Sequence, residues 1–123
     1  VHDLKRYSVS CSILTEGNLT RDPESRITST GSKVVSFDIA SNRYYRKDDQ
    51  QVEEVMYIRM EAWGRTADVC EQYLKKGGWV RAVGRLKQDR WVSEDGQPKD
   101  RHVIVVEHIE FRNKQTAAQE AAV

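Results

Sequence analysis

Residues 55–63 read Val55-Met56-Tyr57-Ile58-Arg59-Met60-Glu61-Ala62-Trp63, and alternation along a strand sorts them onto two faces. Met56, Ile58, Met60 and Ala62 share the side that seeks a core. Tyr57, Arg59, Glu61 and Trp63 take the other, where a half-buried strand ordinarily shows only polar groups. Two aromatic rings with a guanidinium between them suit a planar, anionic partner. At about 3.3 Å per residue the rings at 57 and 63 stand roughly 20 Å apart, too far to sandwich one ring but suited to successive bases of an extended strand. A one-residue slip in register would exchange the two faces and turn both rings inward.

The chain around this stretch has 123 residues, which suits one domain with a single modest core. With 38% hydrophobic and 32% charged residues and a net charge of +1, it exerts no global pull on a polyanion, so any basic footprint is local. No apolar run approaches the ~20 residues of a membrane helix, and the opening Val1-His2-Asp3-Leu4-Lys5-Arg6 is unlike a signal peptide. A cytoplasmic setting is expected. Because the sequence opens on Val rather than Met, a removed upstream segment is also expected, and an organellar matrix stays open as a destination. Cys11 and Cys70 show no metal-ligand spacing and read as ordinary small apolar residues. The scattered His2, His102 and His108 complete no catalytic constellation, and the glycines at 77, 78 and 84 form no phosphate-cradling motif. No catalytic residue, metal or cofactor is expected, and the chain does not read as an enzyme.

Before the central strand, Tyr7, Val9, Cys11 and Ile13 alternate with Ser8, Ser10 and Ser12, predicting a first strand from Tyr7 to Leu14. Its serine side either faces water or admits another subunit's sheet. Glu16-Gly17-Asn18 and Asp22-Pro23 read as breaks, and Thr30-Gly31-Ser32 as a turn, with a short extended piece around Arg26-Ile27-Thr28 between them. Val34 to Asn42 predicts a strand with Val35, Phe37 and Ile39 on its core side. Arg43-Tyr44-Tyr45-Arg46-Lys47-Asp48-Asp49-Gln50-Gln51 is a loop or a protruding hairpin, and its tyrosines among cations suit base stacking and phosphate contact.

After the central strand, Ala67, Cys70, Tyr73 and Leu74 fall at helical spacing, predicting a helix over 65–76. Asp68 near its start and Lys75 and Lys76 near its end would complement the dipole, with Gly77-Gly78 as the stop. Trp79 to Trp91 is a strand with Val80, Ala82 and Leu86 opposed to Trp79, Arg81, Val83, Arg85, Lys87 and Trp91. Gly84 is a bulge signal that makes parity beyond it unsafe. Asp95-Gly96 marks a hairpin, His102 to Val106 a covered strand closing with Ile109 and Phe111, and 113–123 a frayed tail after a domain spanning 1–112.

Three strands, a short helix and a two-stranded hairpin make an all-β fold. The order is that of a five-stranded Greek-key OB-fold barrel with one short α-helix between its third and fourth strands. Gly17-Asn18-Leu19-Thr20-Arg21-Asp22-Pro23-Glu24, Ala62-Trp63-Gly64, Tyr73-Leu74-Lys75-Lys76-Gly77, Val83-Gly84-Arg85-Leu86 and Arg90-Trp91 occur in this order. Together, from about Val9 to Phe111, they resemble the bacterial single-stranded-DNA-binding proteins.

The resemblance implies a homotetramer that protects single-stranded DNA in replication, recombination and repair, with stacking aromatics at Tyr45, Tyr57, Trp63 and Trp91. Tyr57 and Trp63 follow from the central strand alone, whereas Tyr45 and Trp91 lean on the resemblance. Many members carry Trp where this chain has Tyr45 and Tyr57, so weaker stacking per site is expected. Phosphates would be held by Arg43, Arg46, Lys47, Arg59, Arg81, Arg85 and Lys87. Members typically end in an acidic tail that recruits genome-maintenance proteins, and this sequence ends Gln-Glu-Ala-Ala-Val without one. It also departs from the family before Val9 and at Trp79. The competing readings are an OB-fold binder of RNA or tRNA and an OB-fold adaptor that uses the same surface to hold a protein.

Overall fold

A computed structural model of the chain describes residues 11–112. Its elements are β1 (Ser12–Leu19), β2 (Glu24–Ile27), β3 (Lys33–Lys47), β4 (Gln50–Trp63), α1 (Gly64–Tyr73), β5 (Trp79–Val92) and β6 (Pro98–Arg112). The strands run in the order β1-β5-β6-β4-β3-β2, and β1 also pairs with β3 to close the barrel. β2 is a four-residue appendage on β3. The other five strands form the predicted OB-fold, with α1 between its third and fourth strands.

The interior is packed by Val35, Phe37 and Ile39 of β3, Met60 and Ala62 of β4, Val80 and Ala82 of β5, and Ile104, Val106 and Phe111 of β6. α1 adds Ala67 and Cys70 to this cluster, and Leu74, just past the helix, seals its end. Burial pushes the Cys70 thiol up to about 12, so this sulfur behaves as an apolar plug. Cys11, read with Cys70 as a small apolar residue, is instead exposed.

Closure depends on a glycine. β1 lies along β5 from Ser12 to Asn18 and then passes to β3, where Asn18 and Leu19 meet Ala40 and Ile39. A Cβ on Gly17 would stand 2.4 Å from the Ala40 carbonyl oxygen, so only glycine allows this approach. Glu16-Gly17-Asn18, read as a break, is therefore inside a strand. Among the described residues the first strand runs from Ser12 to Leu19, past its expected end at Leu14, and residues 7–10 of the expected strand lie outside the described part. The far end of β1 is clamped from the helix side: Leu19 N–H donates to the Gly78 carbonyl (2.9 Å) and Gly77 N–H to the Leu19 carbonyl (2.8 Å).

The helix is shorter than its apolar spacing suggested. It spans Gly64–Tyr73 with no acidic residue in its first turn and no basic residue in its last. Lys75 and Lys76 lie beyond it, so the dipole complement expected from Asp68 and the two lysines is not made. The Lys33 ammonium instead ties α1 to β3, lying 3.1 Å from Asp68 and 3.0 Å from Glu71. Those partners raise the Lys33 pKa, and hydrogen bonds from Ser25 and then Lys33 lower that of Glu71.

Segment 43–51 is the protruding hairpin rather than a loop. β3 and β4 pair without interruption from Val34 opposite Trp63 to Lys47 opposite Gln50. Asp48 and Asp49, with φ of 51° and 64°, supply the two left-handed residues of a tight hairpin turn. Because this ribbon outruns the barrel, Met56, expected on the core face, has no opposing layer among the described residues and is 51% exposed. The register shift at Gly84 appears as predicted, between Val83 opposite His108 and Gly84 opposite Val106. The extra residue is Glu107 of β6, so inward parity on β5 continues through Gly84 to Leu86 while β6 switches phase. The proposed tail at 113–123 lies outside the described residues.

Gly17→Ala should cost about 2 kcal/mol, within the range for overpacking a filled site, and lower the Tm by on the order of 10 °C; a melt matching the parent would show that β1 does not need that approach. A thiol-reagent titration should find one reactive cysteine in the folded protein, lost in Cys11→Ser, and two in denaturant.

Candidate nucleic-acid interface

The outer side of the barrel follows from register. In an antiparallel pair, residues directly opposite share a face, so Trp63, Glu61, Arg59 and Tyr57 of β4 stand beside Val34, Ser36, Asp38 and Ala40 of β3. β6 joins β4 in parallel, with Arg59 beside Val103 and Glu61 beside Val105, and β5 follows with Lys87 opposite Val103 and Arg85 opposite Val105. Continuing outward along that hairpin places Asp89 opposite Arg101 and Trp91 opposite Lys99. Trp63, Tyr57 and Trp91 thus project from one continuous face. They are 37%, 70% and 46% exposed.

Between the rings lies a belt of paired charge. Asp38 receives Arg21 at 2.7 Å and Arg59 at 3.5 Å. Lys87 lies 3.7 Å from Glu61 and 3.2 Å from Asp89, and Arg101 closes the series 3.8 Å from Asp89. Glu61 was read as an outward residue, which its register bears out, but it is only 3% exposed. Val34 and Val103 face outward too and are fully buried without joining the interior cluster. Their row neighbours are Trp63 and Arg26 for Val34 and Arg59 and Lys87 for Val103. Long side chains lying over small apolar ones explain this burial, so Trp63, Arg59 and Lys87 are also the outer roof of the sheet.

The remaining expected cations are distributed differently. Arg81 faces outward on the β1–β5 part of the wall, 3.5 Å from Glu16. Arg85 and Lys47 are exposed and, among the described residues, form no ion pair. Arg43 lies 3.8 Å from Glu54, and Arg46 donates to the Asp49 carbonyl at 3.3 Å. Tyr45, with Arg43 and Lys47, points to the side of the β3–β4 ribbon opposite Tyr57, because parity is unbroken between them. The Arg43 guanidinium stands 4.7 Å from the Tyr45 ring centroid, a cation–π contact that occupies one ring face. Structure therefore unites Tyr57, Trp63, Trp91, Arg59, Arg85 and Lys87 and sets Tyr45, Arg43 and Lys47 on another surface.

Sequence reading overlooked Arg101 and Lys99. The Arg101 guanidinium lies 5.6 Å from the Trp91 ring centroid, and Lys99 is directly across from that ring. Counting back from the Asp95-Gly96 turn would have found both. That turn is held by Ser93 N–H to the Gln97 carbonyl (2.9 Å), and Gly96 has a φ of 81°. At the tip, Arg90, Trp91, Val92, Pro98, Lys99 and Asp100 line a shallow open depression. Trp79, which departs from the family pattern, lies under the Arg112 guanidinium at 4.3 Å. Among the described residues no cluster of ligating side chains could hold a metal, and no helix is long and apolar enough to cross a membrane.

Residues 11–112 match the model of the single-strand binding protein family. The chain is 36% identical over 108 residues to a single-stranded DNA-binding protein of Wolinella succinogenes, covering 87% of this chain and 67% of that one. It is 37% identical over 109 residues to one from Helicobacter hepaticus, covering 88% and 64%. The chain thus spans about two thirds of the length of these relatives. In structure it is similar to a Plasmodium falciparum SSB in a complex with ssDNA, with a TM-score of 0.77 and 24% identity, covering 87% of this chain and 97% of that one; at that identity the likeness concerns the fold. With a family match that runs the whole length of the described barrel, this chain belongs to the single-strand binding protein family.

Proposed function

We propose that this protein binds single-stranded DNA without sequence preference, shielding it during replication, recombination and repair. The observation that carries the reading is the placement of Tyr57, Trp63 and Trp91 on one outer face, exposed and separated by cations. Each ring offers a π-surface that accepts any base, worth roughly 1–3 kcal/mol per stack. Duplex DNA keeps its base faces covered, so stacking by itself selects single strands. Arg59, Arg85, Lys87 and Arg101 lie within the same face to meet phosphates, and Arg43, Arg46, Lys47 and Arg81 extend the cationic surface beyond it. The protein performs no chemistry on the DNA in this reading. Family membership and relatives named for single-stranded DNA binding support it.

We propose further that the chain works as a homotetramer in a cytoplasmic, nucleoid-associated setting. Two features favour assembly: among the described residues the edge of β1 away from β5 is paired only at Asn18 and Leu19, with β3, and Leu14 is 55% exposed on the outer side of β1. Light scattering with and without oligo-dT reads the subunit number. Genome-maintenance proteins are further candidate partners.

Tryptophan fluorescence should fall on adding oligo-dT and recover with salt; an unchanged signal would move the weight to a protein-binding adaptor, and tighter binding of oligo-U or structured RNA to an RNA binder. The belt adds a second expectation. Asp89 pairs with both Lys87 and Arg101, so Asp89→Asn should free Arg101 and leave Lys87 with Glu61 alone, tighten binding several-fold at low salt and steepen the salt dependence by about 0.7 for each phosphate newly neutralised. A slope equal to the parent's would mean that neither cation reaches the DNA.

A further inference from the structure

The β3–β4 ribbon projects past the barrel with aromatic rings on both of its sides. We infer that Tyr44, on the Tyr57 side of this ribbon, is an additional base-stacking platform that extends the single-strand path from the barrel onto the hairpin. The inference deepens the proposed binding of single-stranded DNA and rests on it.

Parity is the first argument. Tyr57 stands opposite Ala40, Val55 opposite Asn42 and Tyr44 opposite Glu53, with no interruption. Tyr44, Val55 and Tyr57 therefore share one side of the ribbon, and Tyr45 takes the other. Exposure is the second: Tyr44 is 58% exposed, Val55 38% and Tyr57 70%. Tyr44 lies four residues beyond the partner of Tyr57, or roughly 13 Å along the strand, with the apolar Val55 as floor between the two rings.

The neighbouring charges are arranged to leave this ring open. Glu53, directly across from Tyr44, accepts a hydrogen bond from the Asn42 side-chain amide at 2.7 Å, which holds its carboxylate back toward Asn42. Among the described residues no guanidinium lies over the Tyr44 ring, whereas Arg43 covers one face of Tyr45. Arg46, next outward on the same side, supplies a cation past the ring. Trp63, Tyr57 and Tyr44 then form a line continuous with the face already described, running from the barrel to the hairpin.

The test is equilibrium binding of oligo-dT of increasing length to the parent, Tyr44→Ala, Tyr44→Leu and Tyr44→Trp, at several salt concentrations. Tyr44→Ala should weaken binding of long oligonucleotides by about 10-fold, as expected for one lost base stack, and shorten the length at which affinity levels off. Tyr44→Leu should not restore it, Tyr44→Trp should bind at least as tightly as the parent, and the salt slope should stay that of the parent because no charge is removed. Unchanged affinity and length dependence in Tyr44→Ala would overturn the inference, as would full rescue by Leu. A change in oligomer mass without a change in affinity per site would overturn it in favour of a subunit contact. If the parent itself fails to bind oligo-dT, the proposed function falls instead. Because the ring is exposed, the variants should melt with the parent.

Discussion

The passage of β1 from β5 to β3 at Asn18 and Leu19 is the constraint on which the rest depends. A curled sheet presents a continuous outer face only if it closes, and closure here requires two backbones to approach within a distance that no Cβ tolerates. Gly17 meets that requirement, and the Gly77-Gly78 turn after the helix locks the same strand end through Leu19. With closure secured, β3, β4, β6 and β5 form one wall whose inner side is the core and whose outer side is free to be chemical.

That outer side is not a bare basic patch. Acids and bases alternate on it, and Arg59, Lys87 and Arg101 are already engaged by Asp38, Glu61 or Asp89. Such a surface binds a polyanion by exchanging one set of ion partners for another, so its electrostatic attraction is muted, in keeping with a net charge of +1. Affinity must then come largely from the rings. Trp63, Arg59 and Lys87 serve twice, since they roof Val34 and Val103 as well as facing outward. A side chain held down by packing is pre-organised for a ligand, and it is also one whose removal disturbs the sheet.

The hairpin shows where local pattern stops being sufficient. Strand parity placed Met60 and Ala62 inside and Tyr57 and Trp63 outside correctly, because alternation depends only on backbone geometry. The same parity put Met56 in the core, where it fails, because burial needs an opposing layer and the ribbon has run past the barrel. Tyr44 and Tyr45 looked like one aromatic pair in a basic loop, but pairing as strands sends them to opposite sides. Arg101 was passed over since its partner Trp91 is ten positions away and becomes a neighbour only through the turn at Asp95-Gly96.

By itself, the sequence determined the order of strands around one helix, the turns at Gly31, Gly77 and Gly96, the OB-fold class and the outward setting of Tyr57 and Trp63, but not the bounds of the first strand or of the helix. These depend on period, on backbone preferences of single residues and on motifs in register, all of which are local. Tertiary structure alone decided that Glu16-Gly17-Asn18 continues a strand, which cations stay unpaired, which tyrosine shares a face with Tyr57, and how far Glu61 sinks beneath Lys87. Each of these turns on which strands become neighbours and in what register. That choice is made by closing the whole barrel, because the pairing energy of one strand is not defined until its partner is in place.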